Sequence, residues 1–439
     1  MRVTALKLAN FRALETAELR FQPGFNLIVG VNGVGKTSVL DSLRVCLSRI
    51  LPSITESRSR AMSFDISDIR VGFPFLDVEV SMELGRKQFR YTRRQWRERF
   101  ATDDTENLDR LRREILNTVR LRDRARNLIR ELEESHGVSD SDTFDPSRSE
   151  LRKEAQSSLT APNCIFFSTN RAIVSGAVGS KAKAVGGRAA AYAEALIAHP
   201  MNLRHFAEWM RAQSALASER DSAGRHLQVL HEAVSRFLPD YEHLRPSKED
   251  GTRLLVDHAG IVLDVGQLSD GERSLLALVL DLARRLSQAN PSVDDPLRSA
   301  EAIVLIDEID LHLHPKWQRQ IARNLTAAFP RCQFIATTHS PQVIGEVEHD
   351  RIQIIAGDQV YSPTHSFGVD SSRVLEEIMN VDPRTKAISE LLARVSDEIG
   401  SQHFERAREL LVELAANLGE NDPEVTRART LLDFMEGKE

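Results

Sequence analysis

Residues 30–37 read GVNGVGKT, which fits the pattern G-x-x-x-x-G-K-S/T with no deviation. The pattern has a mechanical meaning. Its glycines let the chain curl until backbone N–H groups point at one anion, and the lysine and hydroxyl complete the cradle. It works only where a strand feeds the loop and a helix leaves it, adding the positive end of its dipole. Both neighbours are legible. Phe25–Val29 is a short apolar run ending at a glycine. Val39, Leu40, Leu43, Leu47, Ile50 and Leu51 then recur at helical spacing, with Pro52 expected to stop the helix. An α/β fold that holds ATP follows. Asn32, Gly33, Gly35, Lys36, Thr37 and Ser38 are the candidate nucleotide contacts, with Lys36 placed for the β- and γ-phosphates and Thr37 for Mg2+. A fortuitous glycine-rich turn would match the letters without this strand–loop–helix context.

Residues 303–308 (IVLIDE) form a second telling run, continuously apolar and then ending in two carboxylates. A strand buried on both faces reads this way, and ligands of parallel sheets sit at strand C-termini. Asp307 is placed to hold Mg2+, directly or through water, and Glu308 to polarise an attacking water. Two acids after a strand also serve as helix caps, but beside an intact phosphate loop the nucleotide reading is favoured. Elsewhere, Leu76, Val78, Val80, Met82 and Leu84 alternate on one face of a strand. Helices are expected over 273–286 and 317–329, and strands over 302–306 and 333–337. Residues 108–132 read as a long amphipathic helix rich in arginine, 135–149 as a Ser/Asp-rich tip, and 189–237 as helical with a break at 199–200.

The 439 residues are 41% hydrophobic and 28% charged, enough apolar material for a substantial core. A formal net charge of −6 argues against a general nucleic-acid coat. The charge is uneven, however: residues 86–130 carry 15 Lys/Arg against 7 Asp/Glu, and residues 370–439 carry 9 against 16. The basic stretch is either a polyanion footprint or a solvated helical face. Cys46, Cys164 and Cys332 are scattered and in no metal-ligand spacing, as expected of reduced thiols in a cytoplasmic protein. With no signal-peptide pattern and no apolar run of about 20 residues, no membrane contact is expected.

Three further pieces carry a family resemblance. Residues 268–272 (LSDGE) precede the acidic strand, 309–315 (IDLHLHP) follow the acidic pair, and 337–341 (TTHSP) follow the next strand. This order resembles the ABC-type ATPase heads of the SMC, RecF and OLD superfamily, with 268–272 in the place of their Leu-Ser-Gly-Gly-Glu/Gln signature. Residues 6–12 (LKLANFR) are similar to their first strand and its Asn-Phe-Arg turn. The resemblance implies an ABC-type P-loop NTPase head, a mixed central sheet with flanking helices, carrying an inserted helical arm and a C-terminal helical tail. It divides the chain into an N-terminal lobe (1–100), a helical, coiled-coil-like insertion (101–240), a C-terminal lobe (241–369) and a helical docking tail (370–439). It also implies that ATP is shared between two heads. Ser269 and Gly271 would touch the γ-phosphate held by the opposite subunit, His339 would sense that phosphate, Asp310 would lie in the loop across the interface, and Arg12 would contact the nucleotide. Two departures stand out. Asp270 replaces the first signature glycine, and a carboxylate near a triphosphate repels it unless turned outward. No glutamine occupies the expected Q-loop stretch, where Asp68 is the nearest polar candidate.

A narrower resemblance rests on residues 267–273, 306–318, 333–342 and 370–379. They are similar to the PtuA ATPases of Septu phage-defence systems and to related copies that accompany retrons. That implies an ATP-gated regulator of a partner nuclease, of HNH type in Septu, with a reverse transcriptase and its msDNA as further partners in a retron. The 100 residues after His339 show no paired acidic motif and no His-Asn-His or Cys-x-x-Cys arrangement, so cutting is expected from a partner rather than from this chain. Two other readings stay open. A RecF-like repair ATPase would bind duplex DNA through Arg93, Arg94, Arg97, Arg110, Arg112 and Arg113, and a structural scaffold would bind ATP and barely hydrolyse it. His312 and His314 invite a metal reading, but no third ligand accompanies them and an ordered interface loop is the plainer one.

Overall fold

The computed structural model describes all residues except 58, 86, 99–159, 174–187, 199, 239, 250–252 and 438–439. The arm expected over 108–132 and the tip expected over 135–149 therefore lie outside the described residues. The chain forms two compact units, 1–369 and 370–439.

The first unit opens with β1 (Arg2–Phe11), β2 (Leu14–Arg20), β3 (Phe25–Val29), α1 (Lys36–Ile54), β4 (Phe75–Leu84) and β5 (Lys87–Trp96). After these come β6 (Asn163–Phe167), β7 (Ala172–Ile173), β8 (Met201–Asn202), α2 (Leu203–Leu216), α3 (Asp221–Phe237), β9 (Tyr241–Pro246), β10 (Leu254–His258) and β11 (Ile261–Asp264). The unit closes with α4 (Asp270–Ala289), β12 (Ala302–Ile306), α5 (Pro315–Gln318), α6 (Ile321–Ala328), β13 (Cys332–Thr338), α7 (Pro341–Ile344), β14 (Ile352–Ala356) and β15 (Gln359–Tyr361).

One sheet runs β15-β14-β3-β13-β12-β6, all parallel except the edge strand β15. β3, β6, β12 and β13 are buried along their whole length, as parallel strands covered on both faces must be. A second sheet, β2-β1-β4-β5, is antiparallel, and β4 alternates as its sequence predicts. Helix α1 shares one apolar core with strands of both sheets, including Leu6 and Val78 from one and Ile28, Ile303 and Ile335 from the other. Its Val39, Leu40, Leu43, Leu47 and Ile50 are almost wholly excluded from solvent. Its polar Ser42 and Ser48 are buried too, each donating to a carbonyl three residues back in the helix, Val39 and Val45. A third, small sheet runs β11-β10-β9.

Three expectations change. Pro52 does not stop α1; the helix continues to Ile54, with the Thr55 N–H closing on the Leu51 carbonyl at 3.1 Å. A proline in the last turn removes one donor and leaves the residues after it free to complete that turn. The helix expected over 317–329 is two short helices, α5 and α6, separated by Arg319 and Gln320. β6 also stands in the stretch read as a helical insertion, paired in parallel with β12.

The second unit is helical, with α8 (Lys386–Gly400), α9 (Phe404–Leu418) and α10 (Pro423–Met435). They bury a small core of their own, including Leu391, Val395, Leu410, Leu414, Val425 and Leu432. Gly419 ends α9 at φ 95°, and the Asp422 carboxylate caps α10 by accepting the Glu424 N–H, with Pro423 in the first turn.

Candidate nucleotide site

Because β3, β13 and β12 are adjacent and parallel, their C-terminal ends open on one edge of the sheet. The phosphate loop follows β3, Asp307 and Glu308 follow β12, and His339 follows β13. Gly35 carries φ 107°, and a β-carbon there would lie 3.1 Å from the Leu14 side chain, so both backbone and space call for glycine. Lys36 Nζ donates to the Gly30 and Val31 carbonyls at 2.9 and 3.0 Å. Burial lowers the Lys36 pKa, while the charges of Glu308, Asp307 and Asp310 act against that shift.

The Thr37 hydroxyl lies 3.1 and 3.2 Å from the two Asp307 carboxylate oxygens. Thr337 Oγ1 donates to Asp307 at 2.7 Å and accepts the Glu308 N–H at 2.7 Å. A hydroxyl and a carboxylate thus converge from α1 and β12, the hard oxygen donors that Mg2+ takes. These residues fit the ion. His339 is tied to the same edge: Asp310 Oδ1 accepts from Thr338 Oγ1 at 2.6 Å and from the His339 N–H at 3.4 Å. Burial holds the His339 pKa below the ordinary histidine value, and the Lys36 charge adds to that.

The other predicted residues stand differently. Arg12 bridges Asp41 and Asp68, each at 2.8 Å, and lies 3.4 Å from Ser38 Oγ. It is next to the phosphate loop but held by two carboxylates, and Asp68 is spent on it. Ser269 caps α4: its hydroxyl donates to Glu272 Oε2 at 2.8 Å and accepts the Glu272 N–H at 3.3 Å. The other Glu272 oxygen accepts the Tyr241 hydroxyl at 2.7 Å. Burial opposes ionisation of Glu272, but the hydrogen bonds from Tyr241 and Ser269 outweigh it and lower its pKa. Asp270 is turned outward, its exposed carboxylate paired with Arg273 one helical turn on. Gly271 seats the signature on the loop after the acidic pair: a β-carbon there would fall 2.3 Å from the His312 carbonyl oxygen. No hydrogen bond of Ser269 goes to Lys36, Thr37, Asp307, Glu308 or His339. His314 caps α5, its Nδ1 accepting the Lys316 N–H.

Sequence reasoning passed over three residues of this region. Arg171 follows β6, is 5% exposed, and donates through Nη2 to the main-chain oxygens of both Asp307 and Glu308. Thr337 links Asp307 to Glu308, and Tyr241 steadies the signature through Glu272. The apolar run of β6 was the available signal for Arg171, since a strand of that kind delivers its next residues to the same sheet edge. Of the arginines read as a DNA footprint, Arg94 is paired with Asp77 and Arg97 donates to the carbonyls of Ile69, Arg70 and Phe73. Arg110, Arg112 and Arg113 lie outside the described residues.

A phosphate loop, an acidic strand end, a histidine at the end of the next strand and a capped helix at residues 268–272 on this mixed sheet define a P-loop ATPase head of the ABC type. The chain belongs to the family described as "AAA domain, putative AbiEii toxin, Type IV TA system", which it matches over residues 25–345. It is similar to the retron Ec83 probable ATPase of Escherichia coli, 38% identical over 201 residues that make up 45% of this chain and 37% of that protein. It is also similar to the Septu protein PtuA of Bacillus mycoides, 49% identical over 74 residues, 17% of this chain and 10% of that one. The chain therefore aligns with well under half the length of these relatives. Among solved structures, the SMC head domain from Thermotoga maritima aligns over 82% of this chain and 98% of its own, with a TM-score of 0.40 at 14% identity. Among the described residues, no helix is long and apolar enough to cross a membrane.

Proposed function

We propose that this chain hydrolyses ATP with Mg2+ between two copies of its head and uses that cycle to control a partner nuclease in phage defence. The convergence of Thr37 and Asp307, with Glu308 fixed beside them, supports the hydrolytic part. The similarity to retron and Septu ATPases supports the setting. Each site would take residues 30–37, Asp307, Glu308 and His339 from one copy, and Ser269 with Gly271 from the other.

In this reading, Lys36 leaves the Gly30 and Val31 carbonyls for the β- and γ-phosphates, which satisfy its charge better than two dipoles do. Thr37 and Asp307 would hold Mg2+, which would supply positive charge against the charge that develops on the phosphates. Glu308 accepts the proton of the attacking water, and His339 faces the γ-phosphate as a neutral imidazole. The opposite copy's Ser269 completes the shell, so turnover is slow until two heads meet. A partner that cuts nucleic acid, HNH-type by resemblance, would read the closed and open states, and in a retron the msDNA would join the assembly.

Glu308→Gln keeps the shape of the side chain and removes the base. It should lower hydrolysis by about 10²- to 10⁴-fold and hold the heads together around ATP. Light scattering with and without ATP reads this, and a mass for the variant that ATP leaves unchanged would count against the shared site. Co-purification with the product of the neighbouring gene, cleaving only when ATP is bound or hydrolysed, tests the nuclease partner.

A further inference from the structure

Glu308 sits in an uncommon backbone state. Its φ is +46°, a left-handed conformation in which a non-glycine residue is strained. Something must hold it there. On one side, Thr337 of β13 accepts its N–H at 2.7 Å. On the other, Arg171 donates from a single nitrogen to the main-chain oxygens of Asp307 and Glu308. The two peptides that flank the Glu308 α-carbon are thus gripped from both neighbouring strands, and turning Glu308 back to an ordinary conformation would break bonds on both sides.

Arg171 is itself anchored. Ile306 pairs with Phe167, and the Asp307 N–H donates to the Phe167 carbonyl at 2.9 Å, so the chain leaving β6 passes directly beside the acidic pair. The Arg171 carbonyl accepts the Met201 N–H at 2.8 Å, and β7 and β8 pair immediately afterwards. Its Nε is buried and has no partner among the described residues, while Nη2 bonds to the two carbonyls. Burial lowers the Arg171 pKa to about 10 and the charges of Asp307, Asp310 and Glu308 oppose that, so it remains a cation at neutral pH beside three carboxylates.

We propose that Arg171 is a positioning residue for ATP hydrolysis: it fixes the Asp307–Glu308 main chain so that Glu308 faces the attacking water while Asp307 stays on Thr37. This rests on Glu308 acting as the base. The Arg171 bonds go to the main-chain oxygens of Asp307 and Glu308 rather than to the phosphate loop, so its loss should slow the chemical step and leave binding nearly intact.

Arg171→Met keeps the stem and removes the donors. Affinity for a fluorescent ATP analogue should stay within about threefold of the parent, while single-turnover hydrolysis falls by about 30- to 100-fold, the scale of a misplaced reacting group. Arg171→Lys should recover the rate to within about fivefold, because one ammonium nitrogen can donate to both carbonyls as Nη2 does. A Met variant that hydrolyses like the parent overturns the proposal. So does a parallel loss of affinity and rate that lysine fails to rescue, which marks a purely structural arginine. Where Arg171→Met does not fold, Arg171→Lys decides: an unchanged KM with a near-parental kcat supports positioning, and a rate as low as that of Glu308→Gln overturns it. Glu308→Gln measured alongside separates the two failures, since normal turnover there refutes the base itself rather than its placement.

Discussion

The strand-end half of the site and the signature half are both built around hydroxyls and carboxylates, yet they are satisfied in different ways. At the strand ends, β3, β13, β12 and β6 each contribute or brace a group, and the bonds cross from one strand to the next: Thr37 to Asp307, Thr337 to Glu308, Arg171 to both acids. At the signature, the side chains close on one another and on Tyr241. Ser269 is closed on Glu272, Glu272 on Tyr241, and Asp270 on Arg273. The sheet therefore prepares the first half before any nucleotide arrives. In the proposed shared site, the second half would exchange partners before its serine met a phosphate, and that requirement would make it the point of control.

The largest effects belong to the prepared half. Lys36→Ala should weaken ATP binding at least 100-fold, about 2.7 kcal/mol, in a calorimetric titration; an affinity within tenfold of the parent would mean the loop holds phosphate without its lysine. Next comes a paired test of two glycines. Gly271→Ala drives a β-carbon into the His312 carbonyl, a backbone atom that cannot swing aside, whereas Gly33 has φ 81° but open space around it. Gly271→Ala should lower stability by about 1 to 3 kcal/mol and shift the loop after the acidic pair. Gly33→Ala should show only backbone strain, of order 1 kcal/mol, and retain its melting profile more closely. Equal melting temperatures would show that the signature does not seat on that loop.

These residues differ in how far the sequence revealed them. The phosphate loop and the acid pair were legible because their mechanics depend on local order: a strand, a glycine turn, a helix, a strand ending in acids. The alternation of β4 and the caps of the second unit were legible for the same reason. Arg171 and Tyr241 were not. Each acts across a long sequence separation, Arg171 on residues 307 and 308 and Tyr241 on Glu272. No periodicity encodes such a partner. The glycine at 271 was read as a phosphate contact, and the structure adds a second reason for it that only the fold could supply. Pro52 misled for the opposite cause, since a breaker near a helix end has little helix left to break.

The pH response should also separate the halves. Burial and the Lys36 charge hold His339 below its ordinary value near 6.5, so it is neutral at pH 7 and gains a proton only as pH falls below that value. Hydrolysis should then be level between pH 7 and 8 and decline on the acid side, below about 6.5. His339→Gln should lower the plateau and remove that part of the acid limb. A rise in parental rate as pH drops from 7 to 6 would show the protonated imidazole to be the working form. At the signature, Glu272 is held, against burial, below the ordinary carboxylate range by its hydrogen bonds and adds no limb there.

The smallest expected effect tests the self-closed half most directly. Tyr241 is buried, stacked on His258 with ring centroids 4.6 Å apart, and its hydroxyl holds the Glu272 oxygen that Ser269 does not use. Tyr241→Phe keeps the ring and loosens only that carboxylate. A hydrogen bond to a partly exposed acid is worth about 1 kcal/mol, roughly fivefold in an equilibrium. If the serine must leave Glu272 to reach the opposite copy's phosphate, loosening Glu272 should make that exchange easier. ATP-driven association, followed by light scattering, should then occur at up to about fivefold lower ATP concentration, with single-head nucleotide affinity unchanged. Ser269→Ala in the same background should abolish the gain, and by itself cost about 1 kcal/mol of stability through the lost cap. A shift toward higher ATP instead would mean that Tyr241 and Glu272 hold the signature in the geometry that closes, and that this half, too, is prepared in advance.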